Sequence, residues 1–274
     1  MTERHAVDQQ AEQHEQPLIL TFLEWVAALK IVELLLDLIA AAIRAGSWAL
    51  LQVQMLLARP LALDLLPAAI DEAERGFRLA VARGGSGLDT RFNVRDPLLD
   101  LSVEQHAAQD AAAIVETTRE AIRLTIQDAH RSNWEPHVFA PQVHSMIGLT
   151  PRQARAVVNL TNAQLEEGVK PELVVARAER YAKRLLGQRA VMIGRTENSR
   201  AANLGRLAGY RQAAANGLVP RERSFLEWRS VQTDPKEVCF QLNGRRVPLE
   251  QGNFDGFFPP VHPDCRCIVH LVVV

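Results

Sequence analysis

The spacing of charged residues in the first part of the chain predicts amphipathic helices. From residue 30 to residue 44, charges recur at intervals of three, four and seven residues, which places them on one stripe of a helix and leaves a wide apolar face. The charged positions are Lys30, Glu33, Asp37 and Arg44. We predict one helix over 18–58, or two helices with a break near Gly46 and Ser47. Residues 1–16, rich in Gln and Glu, are predicted to be a disordered arm.

Two more helices and two breaks are predicted before residue 149. Pro60 suits the first turn of a helix that continues to about residue 83, where a glycine-rich segment begins. A longer helix is predicted over 97–133, with apolar positions at Val103, Ala107, Ile114, Ala121 and Ile122. Residues 133–148 contain two prolines, so we predict a loop there. This loop separates a predicted helical domain (17–140) from a second domain (145–274).

Three further helices are predicted from their start and stop signals. Thr150 is a suitable N-cap, followed by Pro at the first helical position and Gln at the third, and this helix is predicted to end near residue 167. The next two helices are predicted over 171–187 and 189–216, each ended by a glycine. Glycine is unfavourable inside a helix, so glycines within the last one suggest close approach of another backbone. These are Gly194, Gly205 and Gly209.

Composition and period change after residue 217. Short runs rich in β-branched and aromatic residues predict strands at 225–231, 237–242, 245–249 and 267–274. Asn243-Gly244 is a favoured two-residue hairpin turn. The last run is mostly apolar and predicts a covered strand. The predicted fold class is therefore α+β: a mainly α-helical N-terminal part, then a smaller C-terminal domain of helices packed on a short, mostly antiparallel sheet.

Charge is distributed unevenly along a chain whose net charge is only −1. Residues 1–149 hold 12 Lys/Arg and 20 Asp/Glu, whereas residues 150–230 hold 15 Lys/Arg and 7 Asp/Glu. Such asymmetry suggests a basic surface for an acidic partner, either nucleic acid or protein, although a solvated pair of arginine-rich helices would give the same pattern. Hydrophobic residues make up 47% of the chain, a value typical of globular proteins with a sizeable core.

Cysteine usage and the N-terminal sequence favour a cytoplasmic protein. The chain has 3 cysteines, two of them separated by one residue, which argues against a secreted disulfide framework. The first residues are polar and show no signal-peptide core. The longest uncharged part of the first helical run, 45–58, is too short to span a bilayer comfortably.

The last third of the chain contains an ordered series of short motifs. It begins with Gly194-Arg195-Thr196-Glu197, continues through Asn203, Tyr210 and Trp228 to Cys239-Phe240-Gln241-Leu242-Asn243-Gly244, and ends with Pro259-Pro260-Val261-His262-Pro263-Asp264-Cys265-Arg266-Cys267. This series resembles the phage head morphogenesis family, the minor head proteins of the phage Mu protein F type, over residues 145–271. The chain departs from the family where Gly194 replaces an alanine and where Cys239 stands alone in place of a Cys-x-x-Cys pair.

The resemblance implies a structural role in a virus particle. Proteins of this family are low-copy minor components of the phage head, near the portal on the inner side of the shell, and assist assembly, DNA packaging or ejection. The implied partners are the portal protein and the inner capsid shell, with packaged DNA as a non-specific partner. The implied location is the virion, reached through the host cytoplasm. We accordingly expect no enzymatic activity, and we expect the motif residues of the final third to be structural.

Four side chains of the final third are candidate zinc ligands. Thiolate and imidazole groups suit tetrahedral Zn²⁺, and the candidates are Cys239, His262, Cys265 and Cys267. The Cys-x-Cys spacing is tighter than usual, and two cysteines at that spacing on one strand would point to opposite faces. Two alternatives are a knot of buried thiols and a disulfide between Cys239 and one of the pair.

Two sets of charged residues have competing interpretations. Arg195 and Glu197 resemble part of an ADP-ribosyltransferase site, but no Glu-x-Glu motif follows, so we expect both to be half-buried and to pair with the 259–267 loop. The basic set is expected to contact DNA phosphates or an acidic portal surface. Its members are Arg177, Arg180, Lys183, Arg184, Arg200, Arg206 and Arg211.

Two other functions stay open on the sequence alone. In the first, the protein is ejected with the DNA and the apolar face of residues 18–57 acts on a membrane surface. In the second, the chain is a metal-dependent or toxin-like enzyme with its site at His262. Binding of an N-terminal fragment to liposomes would favour the first, and a metal-dependent activity the second.

Overall fold

The computed structural model describes residues 3–30, 35–47, 61–83, 97–231, 234 and 237–274. These residues form eight α-helices and a three-stranded antiparallel sheet, which confirms the predicted α+β class. The helices are α1 (Glu3–Lys30), α2 (Leu35–Ala45), α3 (Leu61–Arg83), α4 (Pro97–Arg131), α5 (Pro136–Ser145), α6 (Pro151–Glu166), α7 (Pro171–Ala215) and α8 (Val238–Leu242). The strands are β1 (Ser224–Arg229), β2 (Arg246–Pro248) and β3 (Ile268–Val273).

The helices with the strongest local signals lie where the sequence predicts them. Helix α4 follows its predicted bounds to within two residues, and its five predicted apolar positions are all buried. At the start of α6, the Thr150 hydroxyl accepts a hydrogen bond from Gln153 N (3.3 Å), and the Gln153 side chain accepts one from Thr150 N (3.1 Å). This is the predicted capping box, and Gly168 follows the helix with a φ of +77°.

The N-terminal segment differs from its prediction. The structure has residues 3–16 within helix α1, where the composition predicted a disordered arm. Glu15 at the end of this stretch is only 8% exposed, and packing at such positions stabilises a helix that composition alone disfavours. The predicted break at Gly46 is confirmed, because α2 ends at Ala45 and Gly46 has a φ of +60°. The predictions for residues 48–60 and for the glycine-rich segment after residue 83 lie outside the described residues.

The predicted loop at 133–148 is wrong for most of its length, because it contains helix α5. Pro136 occupies the first turn, where no backbone N–H is needed, and the Glu135 carboxylate accepts a hydrogen bond from Val138 N (2.6 Å). Buried Phe139 and Val143 lie four residues apart on one side of this helix. Proline therefore marks a helix start here rather than a loop.

The two basic helices predicted over 171–187 and 189–216 are one continuous helix, α7, of 45 residues. Its buried positions continue across the expected break, with Ala182 and Ala190 fully buried on either side of Gly187. This continuous packing outweighs the roughly 1 kcal/mol that a glycine costs inside a helix. At Gly194, close approach of another backbone is confirmed, since an added Cβ would lie 3.2 Å from the backbone oxygen of Glu15.

The sheet has the order β2-β1-β3, with both neighbours antiparallel to β1. The strand predicted over 237–242 is wrong, because this segment forms helix α8 and buries Cys239 and Leu242, three residues apart. Asn243 and Gly244 follow that helix and do not connect two strands of a hairpin. Strand β3 is covered only in part: Val269 is fully buried, whereas Val273 is 45% exposed at the edge of the sheet.

The described chain divides into two compact units that interleave along the sequence. Unit 1 comprises the described residues of Met1–Ile19, Leu65–Ala108 and Met192–Val274, and it contains the sheet. Unit 2 comprises those of Leu20–Asp64 and Gln109–Val191. The sequential division into 17–140 and 145–274 does not match this arrangement. Charge and composition follow the order of residues, whereas the units form from segments far apart in the chain.

Two glycine substitutions test the helix packing with opposite expected signs. In unit 1, a Cβ added at Gly76 of α3 would overlap the backbone carbonyl of Ala202 in α7, so Gly76→Ala is expected to lower the free energy of unfolding by about 1–3 kcal/mol. A Cβ at Gly187 of α7 meets no atom within 4 Å, so Gly187→Ala is expected to raise it by roughly 1 kcal/mol. Urea denaturation of both variants checks the pair; equal effects would contradict the described packing.

Candidate metal centre

The core of unit 1 brings together cysteines from two segments that are distant in sequence. Cys239 lies in α8, Cys265 in the loop that precedes β3, and Cys267 directly before the first residue of β3. All three are at most 1% exposed and belong to one cluster with Trp228 and Phe254. The rings of these two aromatic residues meet edge to face, with centroids 5.3 Å apart. The sheet and α8 thus hold three thiols in a rigid, apolar environment.

Three of the four predicted metal ligands converge on one point. The ligand atoms of Cys239, His262 and Cys265 all lie within 4.8 Å of one another. Cys239 Sγ is 3.1 Å from His262 Nε2 and 3.7 Å from Cys265 Sγ. Two thiols and an imidazole at this spacing form a site that could hold a metal ion.

The histidine of this cluster is already oriented as a ligand. His262 Nδ1 lies 2.8 Å from the carbonyl oxygen of Pro263, so this ring nitrogen donates its proton to the carbonyl. The lone pair is then on Nε2, the atom that faces Cys239. Metal-binding histidines commonly make such a bond through the ring nitrogen that does not bind the metal.

Hydrogen bonds concentrate thiolate character on Cys265. A bond from the Cys267 thiol, assisted by backbone N–H groups of Cys267 and Val261, lowers the pKa of Cys265 to about 5, although burial opposes this shift. Burial raises the pKa of Cys239 to about 11. The bond to Cys265, together with burial, raises the pKa of Cys267. Of the three thiols, Cys265 is therefore the one most ready to bind a cation.

Cys267 stands apart from the three convergent ligands. Its Sγ lies 3.5 Å from Ser230 Oγ, within hydrogen-bonding distance for sulfur. All three cysteines are free, so the alternative of a disulfide between Cys239 and one of the other two is not formed. The expectation that Cys265 and Cys267 would point to opposite faces of one strand does not apply, because β3 begins only at Ile268.

The start of the motif series contacts its end. Arg195 in α7 lies 3.5 Å (Nη1) from the Asp264 carboxylate and 3.1 Å (Nε) from Glu15. Thr196 Oγ1 accepts a hydrogen bond from Asp264 N at 3.0 Å. Burial raises the pKa of Glu15, while the guanidinium of Arg195 acts to lower it. The predicted pairing of Arg195 with the 259–267 loop is confirmed.

Asn203 bonds to the edge of the sheet as a further strand would. Its side chain donates to Cys267 O at 2.9 Å and accepts from Val269 N at 3.1 Å. Asn203 is fully buried, so these backbone groups of β3 have no access to water at that point. The motif asparagine therefore fixes β3 to α7.

The other motif residues lie around this core. Tyr210 and Trp228 are buried in it, Pro260 is buried in a cis Pro259-Pro260 peptide, and Gly244, with a φ of +77°, donates its N–H to Trp228 O. Pro263 and Arg266 are exposed. Glu197 is half-buried as expected, and its carboxylate lies 3.5 Å from Arg200 Nε.

The basic set divides into two groups. Arg177, Arg180, Lys183 and Arg184 are exposed on the part of α7 that belongs to unit 2. We name these four residues the basic face. In unit 1, Arg211 is exposed, whereas Arg200 and Arg206 are half-buried beside Glu197 and Asn203. The first group is the one available to a partner.

Two buried polar residues were not singled out by the sequence. Arg189 is 3% exposed in unit 2, and its guanidinium donates to four oxygens of carbonyls and hydroxyls. Glu15 pairs with a residue 180 positions away. An apolar stripe interrupted by one arginine could have indicated Arg189, but nothing local indicates Glu15.

Comparisons with known proteins add no relative. No family model, curated protein or solved structure matches this sequence. Within the described residues, no helix has an apolar stretch long enough to cross a membrane.

Proposed function

We propose that this protein is a minor head protein of a phage or prophage, a structural component that acts in head assembly near the portal. The observation that supports the proposal best is the contact between the two ends of the motif series. Arg195, Thr196 and Asn203 each contact residues between Asp264 and Val269. The hydrogen bonds of Thr196 and Asn203 join residues that are 64 to 68 positions apart in the chain. A motif series whose members meet in this way specifies a folded module.

The contacts of the motif groups support a structural rather than a catalytic role. Thr196 and Asn203 use their side chains on backbone groups of the same unit. Arg195 is engaged by two carboxylates. A catalytic residue must instead reach a substrate with its polar atoms. The proposed role of the module is to present a rigid surface to the head.

The basic face on α7 is the proposed contact with the portal. Its four side chains are exposed, with Arg184 above the ring of Tyr181 at 5.0 Å. Clusters of exposed positive charge steer association with acidic surfaces and weaken as salt increases. Duplex DNA is the competing partner, because phosphate contacts also require only positive charge.

Co-purification with the portal protein encoded in the same genome tests this contact. We expect the unaltered chain to co-purify with the portal, and Arg180→Glu with Arg184→Glu to reduce recovery at least about tenfold, since like charges across an interface are repulsive. The matched control is Arg152→Glu with Arg155→Glu, an exposed pair on α6 that should leave recovery unchanged. Binding of duplex DNA but not of the portal would assign the basic face to DNA instead.

The proposed ion for the cluster of Cys239, His262 and Cys265 is Zn²⁺, in a structural role. Two thiols and one imidazole match the ligand preference of zinc, whereas Mg²⁺ and Ca²⁺ prefer oxygen. All three cysteines belong to the apolar core of unit 1. Zinc would thus stabilise the module that carries the motif series.

A further inference from the structure

We propose that Cys267 is the fourth ligand of this zinc site, which makes it a closed Cys₃His site joining α8, the 259–266 loop and the start of β3. The inference rests on the zinc assignment and is independent of the role in head assembly. It adds a residue that lies outside the group of three convergent ligand atoms.

The position of Cys267 in the chain and its burial in the core both support this role. It is fully buried in the same cluster as Cys239 and Cys265, and it follows Cys265 by only two residues in the chain. Structural zinc sites are almost always four-coordinate with nitrogen and sulfur ligands. The backbone of Cys267 is already held by Asn203, so its use as a ligand does not require a group from another segment.

The nearby alternatives are weaker fourth ligands. The Asp264 carboxylate is adjacent in sequence, but it lies 3.5 Å from Arg195 Nη1 and 4.0 Å from Arg266 Nε. Ser230 Oγ is a neutral hydroxyl and a poor ligand for zinc. His262 is half-buried and all three thiols are at most 1% exposed, so burial disfavours water as the fourth ligand.

Groups that would hydrogen-bond to three thiolates and one imidazole are already in position. When Zn²⁺ binds, each thiol ligand releases its proton to solvent. The Ser230 hydroxyl, 3.5 Å from Cys267 Sγ, then donates to the thiolate. Pro263 O accepts from His262 Nδ1. Hydrogen bonds to metal ligands typically change metal affinity by about 10–100-fold.

X-ray absorption at the zinc edge of the full-length protein, purified without chelator, tests the proposal. We expect one zinc per chain, with three sulfur neighbours near ~2.3 Å and one nitrogen near ~2.0 Å. Two sulfur neighbours would overturn the role of Cys267 while leaving the zinc assignment intact. Zinc-free protein that stays zinc-free after incubation with Zn²⁺ would overturn both.

Variants give a second readout by competition with a chromophoric zinc chelator. Cys267→Ser is expected to weaken zinc binding by more than about 100-fold, and Ser230→Ala by about tenfold. His137→Asn, an exposed histidine in unit 2, is the matched control and should bind zinc as the unaltered chain does. Unchanged affinity in a folded Cys267→Ser protein would contradict the assignment. Portal co-purification is measured separately, so failure of either proposal can be recognised.

Discussion

Replacing Arg189 with alanine is expected to lower the free energy of unfolding by about 3–5 kcal/mol, because it leaves several buried acceptors without a donor. The guanidinium donates to Gly148 O at 2.6 Å and Thr118 Oγ1 at 3.1 Å through Nη1, and to Ile114 O at 3.2 Å and Thr117 Oγ1 at 2.8 Å through Nη2. Burial lowers the pKa of Arg189 to about 10, so the group remains charged at neutral pH. Within the part of the chain that the structure describes, no carboxylate pairs with it.

The controls separate these hydrogen bonds from charge and from helix propensity. Arg189→Lys keeps a positive charge, but one ammonium group cannot reach all four acceptors. We therefore expect it to lower the free energy of unfolding by at least about half as much as Arg189→Ala does. Arg184→Ala, an exposed position on the same helix, should change stability by less than about 0.5 kcal/mol. Urea denaturation followed by tryptophan fluorescence measures all three. A loss below 1 kcal/mol for Arg189→Ala would show that the guanidinium does not organise unit 2.

Replacing Asn203 with alanine is expected to lower the free energy of unfolding of unit 1 by about 2–4 kcal/mol, because two buried backbone groups lose their hydrogen-bond partner. These groups are Cys267 O and Val269 N at the outer edge of β3. Asn203→Leu fills a similar volume and should lower the free energy of unfolding nearly as much as Asn203→Ala, because the effect comes from lost hydrogen bonds and not from a cavity. Asn159→Ala, an exposed asparagine on α6, is the matched control and should be close to neutral.

Hydrogen exchange locates the effect of Asn203→Ala. We expect amide protons of β3 and its neighbour β1 to exchange faster, while those of α6 in unit 2 keep their protection. Uniformly faster exchange in both units would contradict a local role for Asn203.

The sequence predicted those parts of the fold whose conformation depends on residues only a few positions apart. The capping box at Thr150 and the apolar period of α4 act within a few residues, and both predictions are confirmed. The wrong predictions arise where packing overrides propensity. Helix α8 buries Cys239 and Leu242 in a segment of strand-like composition, and α7 continues through Gly187 because buried alanines lie on both sides.

The candidate site could be predicted in its residue types but not in its geometry. Spacing and chemistry identified the four cysteine and histidine candidates, of which three converge. The tautomer of His262 depends on Pro263 O, a contact that no spacing rule predicts. The partner of Arg195 at Glu15 lies 180 residues away, and such pairing depends on the tertiary fold. Local sequence does not determine contacts of that range.

We propose that this protein is a minor component of a phage head. Quantitative mass spectrometry of purified particles from the genome that encodes it, with heads separated from tails, tests this proposal. We expect the protein in the head fraction, at a low and constant ratio to the portal protein. Its absence from purified particles, with portal and major shell protein present, would contradict the claim and leave the motif series as a shared structural module.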